Sequence, residues 1–498
     1  MLSSSRRLDI LFIKPGSQKQ IYGSLSDHDL TAIEPPLWAA ILAGFLRGLG
    51  YGVEILDAEV DGLTGGLDWD QTARAAVDRG ALLTAVMVSG HNPSASTMNM
   101  TGAGAITKKI KELAPDLAVC LTGLHVSALP ERSLTEEATD FVIQGEGLRT
   151  LPPLIDTLKS QNPVFKGIPG LWHREDGQVV PGAMPEMWAD LDTLPMPAWD
   201  LLPMERYRAH NWHCFDDVTR RQPYATLYTS LGCPYHCSFC CINALFGEHR
   251  LRTRGVDAVL AEIDFLVTRF GVRNIKIMDE LFAVNEKRVL ELCDGIAERG
   301  YDLNFWAYAR VNTVTGPMLA AMKRAGVNWI AYGFESGSKR VIEDVTKGYK
   351  LDQVLRVAQM TYDQGQHICA NFIFGLPEDD YDSMQETFAL MQEINAEWAN
   401  IYSAMAYPGS KLYDDAVAAG APLPATWNGF SQYASDCLPL PTKYLTGGQV
   451  LSFRDYAFDA YYKNPRYLSM IRSKYGKETM WHIVTMAEKR LDREYVRI

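Results

Sequence analysis

The chain has 498 residues, 47% of them apolar and 22% charged, with a formal net charge of −12. That length is too great for one compact core and implies two to four domains of ordinary globular composition. The acidic balance argues against a nucleic-acid partner, which needs a basic face for phosphates, and no apolar run approaches the roughly 18 residues of a membrane span. From residue 8 onward, short β-rich runs alternate with helical stretches. Strands are expected at Ile10–Ile13, Val53–Leu56, Leu83–Ser89, Leu117–Leu121 and Phe141–Ile143, and helices at Leu37–Leu49, Met98–Leu113 and Pro130–Glu137. This α/β alternation predicts a doubly wound parallel sheet over residues 1–160, with its ligand crevice at the carboxyl ends of the strands. The loops there are Ser89-Gly90-His91-Asn92-Pro93-Ser94, Thr122-Gly123-Leu124-His125-Val126-Ser127 and Gln144-Gly145-Glu146-Gly147. Their glycines and small hydroxyl residues permit close approach of a large ligand to backbone N–H groups.

Residues 161–224 contain Pro163, Pro169, Pro181, Pro185, Pro195, Pro197 and Pro203 among several aromatics, and read as a linker strap between domains. Cys214 and His213 lie within it, where a free thiol is more often inert than catalytic. Strand–helix units then resume over residues 225–420. Strands are expected near Ala225–Tyr228, Asn274–Met278, Leu303–Tyr308, Trp329–Gly333, Ile368–Phe374 and Ala399–Met405. Helices fall between them at Val256–Phe270, Glu286–Arg299, Gly316–Ala325, Gln353–Gln364 and Tyr381–Ile394. Six such units make a partial barrel, whose chemistry belongs at the carboxyl ends of the strands. Residues 421–498 read as a small helical domain, helical after Thr446 and rich in aromatics, packed on the barrel.

Nine cysteines are scattered over the chain, and only four lie close together. This suits a reducing cytoplasm and a metal site better than a disulfide framework. The four fall in Leu-Gly-Cys233-Pro-Tyr-His-Cys237-Ser-Phe-Cys240-Cys241, directly after the first barrel strand. Three thiolates at C-x3-C-x2-C spacing can hold three irons of a 4Fe–4S cluster and leave the fourth open. A zinc knuckle or buried structural thiols are the alternatives; zinc would want a fourth ligand, for which His236 is better placed than Cys241.

The spacing, with Phe239 before the last cysteine, resembles the signature of the radical S-adenosylmethionine (SAM) enzymes. The resemblance implies that the open iron chelates the amino and carboxylate groups of SAM and that the reduced cluster cleaves it to a 5′-deoxyadenosyl radical. It assigns Asp279-Glu280 after the second barrel strand to the SAM ammonium, and Arg310 to the SAM carboxylate or a substrate anion. Glu335 and Ser336 in Gly-Phe-Glu-Ser-Gly would reach the ribose and methionine, and Gly375-Leu376-Pro377 the adenine. Tyr407-Pro408-Gly409-Ser410 resembles the closing turn. The first domain in turn resembles the cobalamin-binding domain that precedes many radical SAM domains, on Pro35-Pro36-Leu37, Gly123-Leu124-His125 and Gly145-Glu146-Gly147. Pro195-Met-Pro197-Ala-Trp199-Asp200 resembles the linker of the same subfamily. This implies cobalamin along Ser89, Gly90, His91 and Ser94, along Thr122, Gly123 and His125, and along Gly145, Glu146 and Gly147. The loop Lys14-Pro15-Gly16-Ser17 lacks the Asp-x-His-x-x-Gly motif whose histidine ligates cobalt from below. His91 and His125 are therefore expected to bond loop backbone or corrin edge, with no histidine on the metal.

The expectation is a cytoplasmic, cobalamin-dependent radical SAM enzyme, first a methyltransferase acting on an unactivated carbon or phosphorus of a small molecule. The resemblance implies that hydrogen abstraction from the substrate is followed by methyl transfer from methylcobalamin, with a reductant such as flavodoxin or ferredoxin. A cobalamin-dependent cyclase or oxidase without methyl transfer is the alternative. A tRNA methylthiotransferase fits less well: the charge is acidic, only Cys120 is present in the N-terminal domain, and no basic C-terminal domain follows. A non-enzymatic iron–sulfur carrier or cobalamin store would leave the SAM pattern without use. No catalytic side chain and no substrate are named by the sequence.

Overall fold

The structure is a computed structural model that describes residues 8–16, 31–61, 66–89 and 96–496. Its first sheet contains β1 (Ile10–Lys14), β2 (Val53–Asp57), β3 (Leu83–Val88), β4 (Ala118–Gly123) and β5 (Phe141–Ile143), parallel and in the order 2-1-3-4-5. Alternation along β1 divides its side chains between two cores. Ile10 and Phe12 join the helix Leu37–Gly48 and a core continuous with the second sheet, whereas Leu11 and Ile13 pack with Val86, Val88 and Leu121 on the other face.

Several elements here went unread in the sequence, among them the helix Leu151–Lys159. The helix Trp69–Arg79 opens on a capping box between Asp68 and Gln71. The strands β6 (Leu171–Glu175) and β7 (Gln178–Val180), inside the expected linker, extend the sheet antiparallel. Their turn, Asp176-Gly177, has φ of 49° and 77°, the mirror-image geometry that Asp-Gly supports in tight hairpins.

The second sheet begins with β8 (Tyr224–Leu227), followed by a small hairpin of β9 (Ser230–Leu231) and β10 (Arg252–Thr253) that brackets the cysteine loop. β11 (Asn274–Ile277), β12 (Asn304–Ala309), β13 (Val327–Glu335), β14 (His367–Phe374) and β15 (Trp398–Ser403) complete six parallel strands in chain order, each pair bridged by a helix. The sheet curls into a partial barrel that does not close, with β8 and β15 as its edges. Its amino-terminal end is plugged by the strap. The ring of Trp212 lies 5.2 Å from that of Trp306, 5.1 Å from Trp329 and 6.2 Å from Trp398.

The helices Gly447–Tyr462 and Pro465–Ala487 cover the β15 edge, the second kinked at Gly476 (φ 90°). Three buried tyrosines tie them down: Tyr461 and Tyr462 donate to the carbonyls of Ala396 and Ala399 at 2.7 Å, and Tyr467 to that of Glu397 at 3.0 Å. Among the described residues no helix is long and apolar enough to cross a membrane. Buried ion pairs join the two sheets. Glu146 meets Arg252 at 2.6 Å, and Glu34 meets Lys276 at 3.1 Å.

Candidate active site

The cysteine loop leaves β9 through Gly232, whose φ is 85° and whose Cβ would meet the Arg250 carbonyl oxygen at 2.2 Å, so only glycine fits. The loop is then pinned from both sides. Ser238 N donates to Val345 O at 3.3 Å, and Leu412 N donates to Ser238 O at 3.0 Å. Cys233, Cys237 and Cys240 are half-buried and open onto one cavity of about 780 Å³, while Cys241 is buried away from it. Burial and the neighbouring thiols push the Cys240 thiol well up, and burial raises that of Cys233. Iron bound there would hold both as thiolates. Among the described residues no three His, Cys, Asp or Glu side chains converge on a single ion, as zinc requires. Three thiols of one loop that open onto one space are the donor set that a 4Fe–4S cluster with one open iron takes.

The expected SAM residues divide into two groups. Glu280, Arg310 and Glu335 line the cavity with the cysteines. Glu280 accepts from Gly232 N at 3.0 Å through one oxygen, and its other oxygen is buried without a partner. Burial, with the Asp279 charge beside it, raises its carboxyl to about 8. Such a group stands ready to ionise against an arriving cation. Arg310 lies over the Tyr235 ring at 3.7 Å and places a guanidinium nitrogen 3.3 Å from Cys237 Sγ. Its other nitrogen donates to the Lys347 carbonyl. Glu335 sits at the end of β13 with φ 59° and pairs with Lys347, whose ammonium is also 5.4 Å from the Phe239 ring.

The second group lies behind the cavity wall. Asp279 accepts from Thr229 N at 2.6 Å, Thr229 Oγ1 at 2.5 Å and Ser230 Oγ at 2.6 Å, which staples β11 to the start of the loop. Ser336 bonds Thr387 Oγ1 at 2.9 Å and accepts from Ser338 N at 3.1 Å. Gly375 and Leu376 donate their N–H groups to Asp379 at 2.9 and 3.0 Å, and Pro377 O accepts from Lys443 N at 3.1 Å. These residues shape the wall and do not line the cavity.

In the first domain, Gly90, His91 and Ser94 lie outside the described residues, and Ser89 is exposed. At the carboxyl ends of β3 and β4, Ser96 Oγ, Thr122 Oγ1 and His125 Nε2 are buried without hydrogen-bond partners. Three orphaned polar atoms at the crevice fit a ligand rich in amide groups, as cobalamin is. His125 is fully buried; its Nδ1 bonds Thr97 Oγ1 at 3.1 Å, and its ring abuts Trp427 at 4.6 Å. Burial holds this imidazole neutral, with its pKa lowered to about 3. Gly123 (φ 132°) is needed because a Cβ would strike the Val88 carbonyl oxygen at 2.2 Å. Gly145 and Gly147 also take positive φ. Glu146 is placed differently from the expectation: both its oxygens are used, by Arg252 and by Trp188 N at 2.8 Å, in joining the domains.

Sequence reasoning missed much of the cavity. Met98 and Asn99 reach it from the turn Thr97–Asn99, Lys276 and Trp306 come from the barrel interior, and residues between Met486 and Val496 in the tail cover it. Lys276 was legible in principle, as a charge within the apolar run Asn274-Ile-Lys-Ile277. The tail carries no motif.

Comparison with known proteins agrees with this layout. A B12 binding domain matches residues 28–155, and the Radical SAM superfamily matches residues 227–391. An uncharacterized methyltransferase of Pyrococcus horikoshii is 29% identical over 435 residues, covering 87% of this chain and 89% of its own. The anaerobic magnesium-protoporphyrin IX monomethyl ester cyclase of Rubrivivax gelatinosus is 25% identical over 389 residues, covering 76% of this chain and 66% of its own. The radical S-adenosylmethionine methyltransferase TsrM of Kitasatospora setae, solved with tryptophan substrate and a SAM analogue, shares the fold. Its TM-score is 0.66 at 15% identity, covering 96% of this chain and 98% of that one. With both matches in order and their residues meeting at one cavity, the chain carries a B12-binding domain followed by a Radical SAM domain.

Proposed function

We propose that the protein is a cobalamin-dependent radical SAM methyltransferase acting on a small molecule. The observation that carries this reading is the shared cavity. Cys233, Cys237 and Cys240 open onto the same space as Met98 and Asn99, which follow the third strand of the cobalamin-binding sheet. When bound, the cluster, SAM and cobalamin supply radical generation and methyl donation, chemistry that side chains lack.

The chain's own residues hold, orient and exclude. The three cysteines hold the cluster, and Arg310 donates toward Cys237 Sγ. The free oxygen of Glu280 would hold the SAM ammonium, the carboxyl proton being released to solvent as the carboxylate forms beside that cation. Glu335 and Lys347 present a paired charge at the neighbouring strand end. The crevice atoms of Ser96, Thr122 and His125 would hold the amide-rich edge of the corrin. The tail from Met486 to Val496 keeps water from the substrate. A low-potential one-electron donor of the flavodoxin or ferredoxin kind supplies the electron.

The test is anaerobic incubation of the reconstituted enzyme with SAM carrying a deuterated methyl group, reductant, cobalamin and substrate. Label in the product with S-adenosylhomocysteine and 5′-deoxyadenosine supports the reading. An unlabelled product with 5′-deoxyadenosine and no S-adenosylhomocysteine supports a cyclase-like reaction, the reading favoured by the Rubrivivax relative.

A further inference from the structure

The cavity extends well beyond the space beside the cysteines, down into the barrel. Its inner part is walled by rings: Trp212, Trp306, Trp398, Tyr308 and Tyr402 all face it. One charge projects into this aromatic zone from the barrel wall. Lys276, in the middle of β11, lies in register with Thr226 on one side and Trp306 on the other. Its neighbours Ile275 and Ile277 point the opposite way, into the helix layer. The side chain is 2% exposed, and its ammonium lies 4.8 Å from the centre of the Trp306 ring. Its counter-ion, Glu34, is 5% exposed and belongs to the other domain, with oxygens at 3.1 and 3.2 Å.

A buried ion pair is a poor way to stabilise a barrel, since an apolar pair of similar volume does as well or better. Lys276 also borders open space, where neither a packing nor a closing role requires a charge. Amides lie on the opposite wall: Asn371 and Asn400, joined at 2.9 Å, face the same cavity.

We propose that Lys276 is the anchor for an anionic group of the substrate, and that the substrate is a flat, largely apolar molecule bearing one carboxylate, phosphate or similar anion. The anion meets the ammonium in the dry barrel interior, where a charge-assisted hydrogen bond is strong. The flat body lies against the tryptophans and extends toward the cysteine loop, so the reacting atom is placed at a fixed distance from the anchor. Glu34 is the partner of Lys276 while the site is empty and competes with the substrate anion for it. This inference rests on reading the cavity as a substrate site and names what that site accepts.

The test uses two probes that share an aromatic skeleton. 8-Anilinonaphthalene-1-sulfonate carries an anion, and N-phenyl-1-naphthylamine is its neutral counterpart; both are titrated by calorimetry into the full-length chain. The expected result is tighter binding of the sulfonate by at least tenfold. Lys276→Met should remove that preference and leave the neutral probe within about twofold, Lys276→Arg should keep most of it, and Glu34→Gln should tighten the sulfonate alone.

Equal affinity for the two probes, failure of the sulfonate to bind, or a Lys276→Met variant that weakens both alike would overturn the proposal. Should Lys276→Met not fold, the Glu34→Gln and Lys276→Arg responses decide it, because a purely structural pair gives no sulfonate-specific gain. Failure here leaves methyl donation from SAM untouched, since that is measured without these probes.

Discussion

The ion pair between Glu146 and Arg252 is the sharpest point at which structure and sequence expectation differ, and it can be perturbed with one atom. Glu146→Gln keeps the shape of the side chain and removes its charge. Arg252 is 2% exposed and Glu146 7%, so the guanidinium would be left buried, with the Trp188 carbonyl at 2.7 Å and the face of Phe246 at 5.1 Å as its remaining partners. Its Nε already lacks a partner. Breaking a buried pair from one side costs about 3–5 kcal/mol, and the retained amide brings this toward roughly 3. At roughly 2–4 °C per kcal/mol for domains of this size, the apparent melting midpoint should fall by about 6–12 °C. Glu146→Ala should fall further, and a double-mutant cycle with Arg252→Met should show coupling of about 2 kcal/mol or more. Thermal melting gives the first readout and cobalamin titration below the transition the second. Corrin affinity should stay within about threefold of the parent. A variant with an unchanged midpoint that no longer binds cobalamin would refute the strut and restore Glu146 to the corrin.

The remaining expectations concern the cofactors. Alanine at Cys233, Cys237 or Cys240 should abolish the cluster's visible absorption and SAM cleavage, while Cys241→Ala keeps both; a full cluster in Cys240→Ala with loss in Cys241→Ala would reassign the third ligand. Electron paramagnetic resonance of the protein with cob(II)alamin should show no nitrogen splitting, because His125 is held between Thr97 and Trp427; splitting that disappears in His125→Ala would show a histidine on cobalt. Glu280 sets a pH dependence. Its carboxyl rises from 4.5 to about 8 on folding, so the folded state binds the proton more tightly, and stability is lost as pH rises between these values. The slope is at most about 1.4 kcal/mol per pH unit, and Glu280→Gln should flatten it in denaturation of the cluster-free chain. Identical slopes in the two proteins would contradict the buried, unpartnered oxygen.

The two sheets were legible because the strand–helix alternation is local and because glycine and proline mark its joints. The cysteine loop was legible because its spacing is itself chemistry. The hairpin β6–β7 announced itself through Asp176-Gly177, but prolines on either side gave the segment the composition of a strap. At the site, position along a strand end did not settle which residues face the cavity. Asp279 and Glu280 are adjacent, yet the first is consumed by Thr229 and Ser230 and only the second is left open. The side of the loop to which a carboxylate turns depends on the hydroxyls of Thr229 and Ser230, about 50 positions away, a tertiary fact. The tail over the cavity and the pairing of Glu34 with Lys276 across 242 positions lie further still from local pattern.

The proposed meeting of SAM and a corrin in one cavity for methyl donation can be tested before any substrate is known. The reconstituted enzyme is given cobalamin, reductant and SAM with a carbon-13 methyl group, without oxygen, and the corrin is recovered for mass spectrometry. The expected result is the labelled methyl group on the corrin with a matching amount of S-adenosylhomocysteine, both lost when cobalamin is omitted. Bound corrin without label, alongside 5′-deoxyadenosine and no S-adenosylhomocysteine, would contradict it.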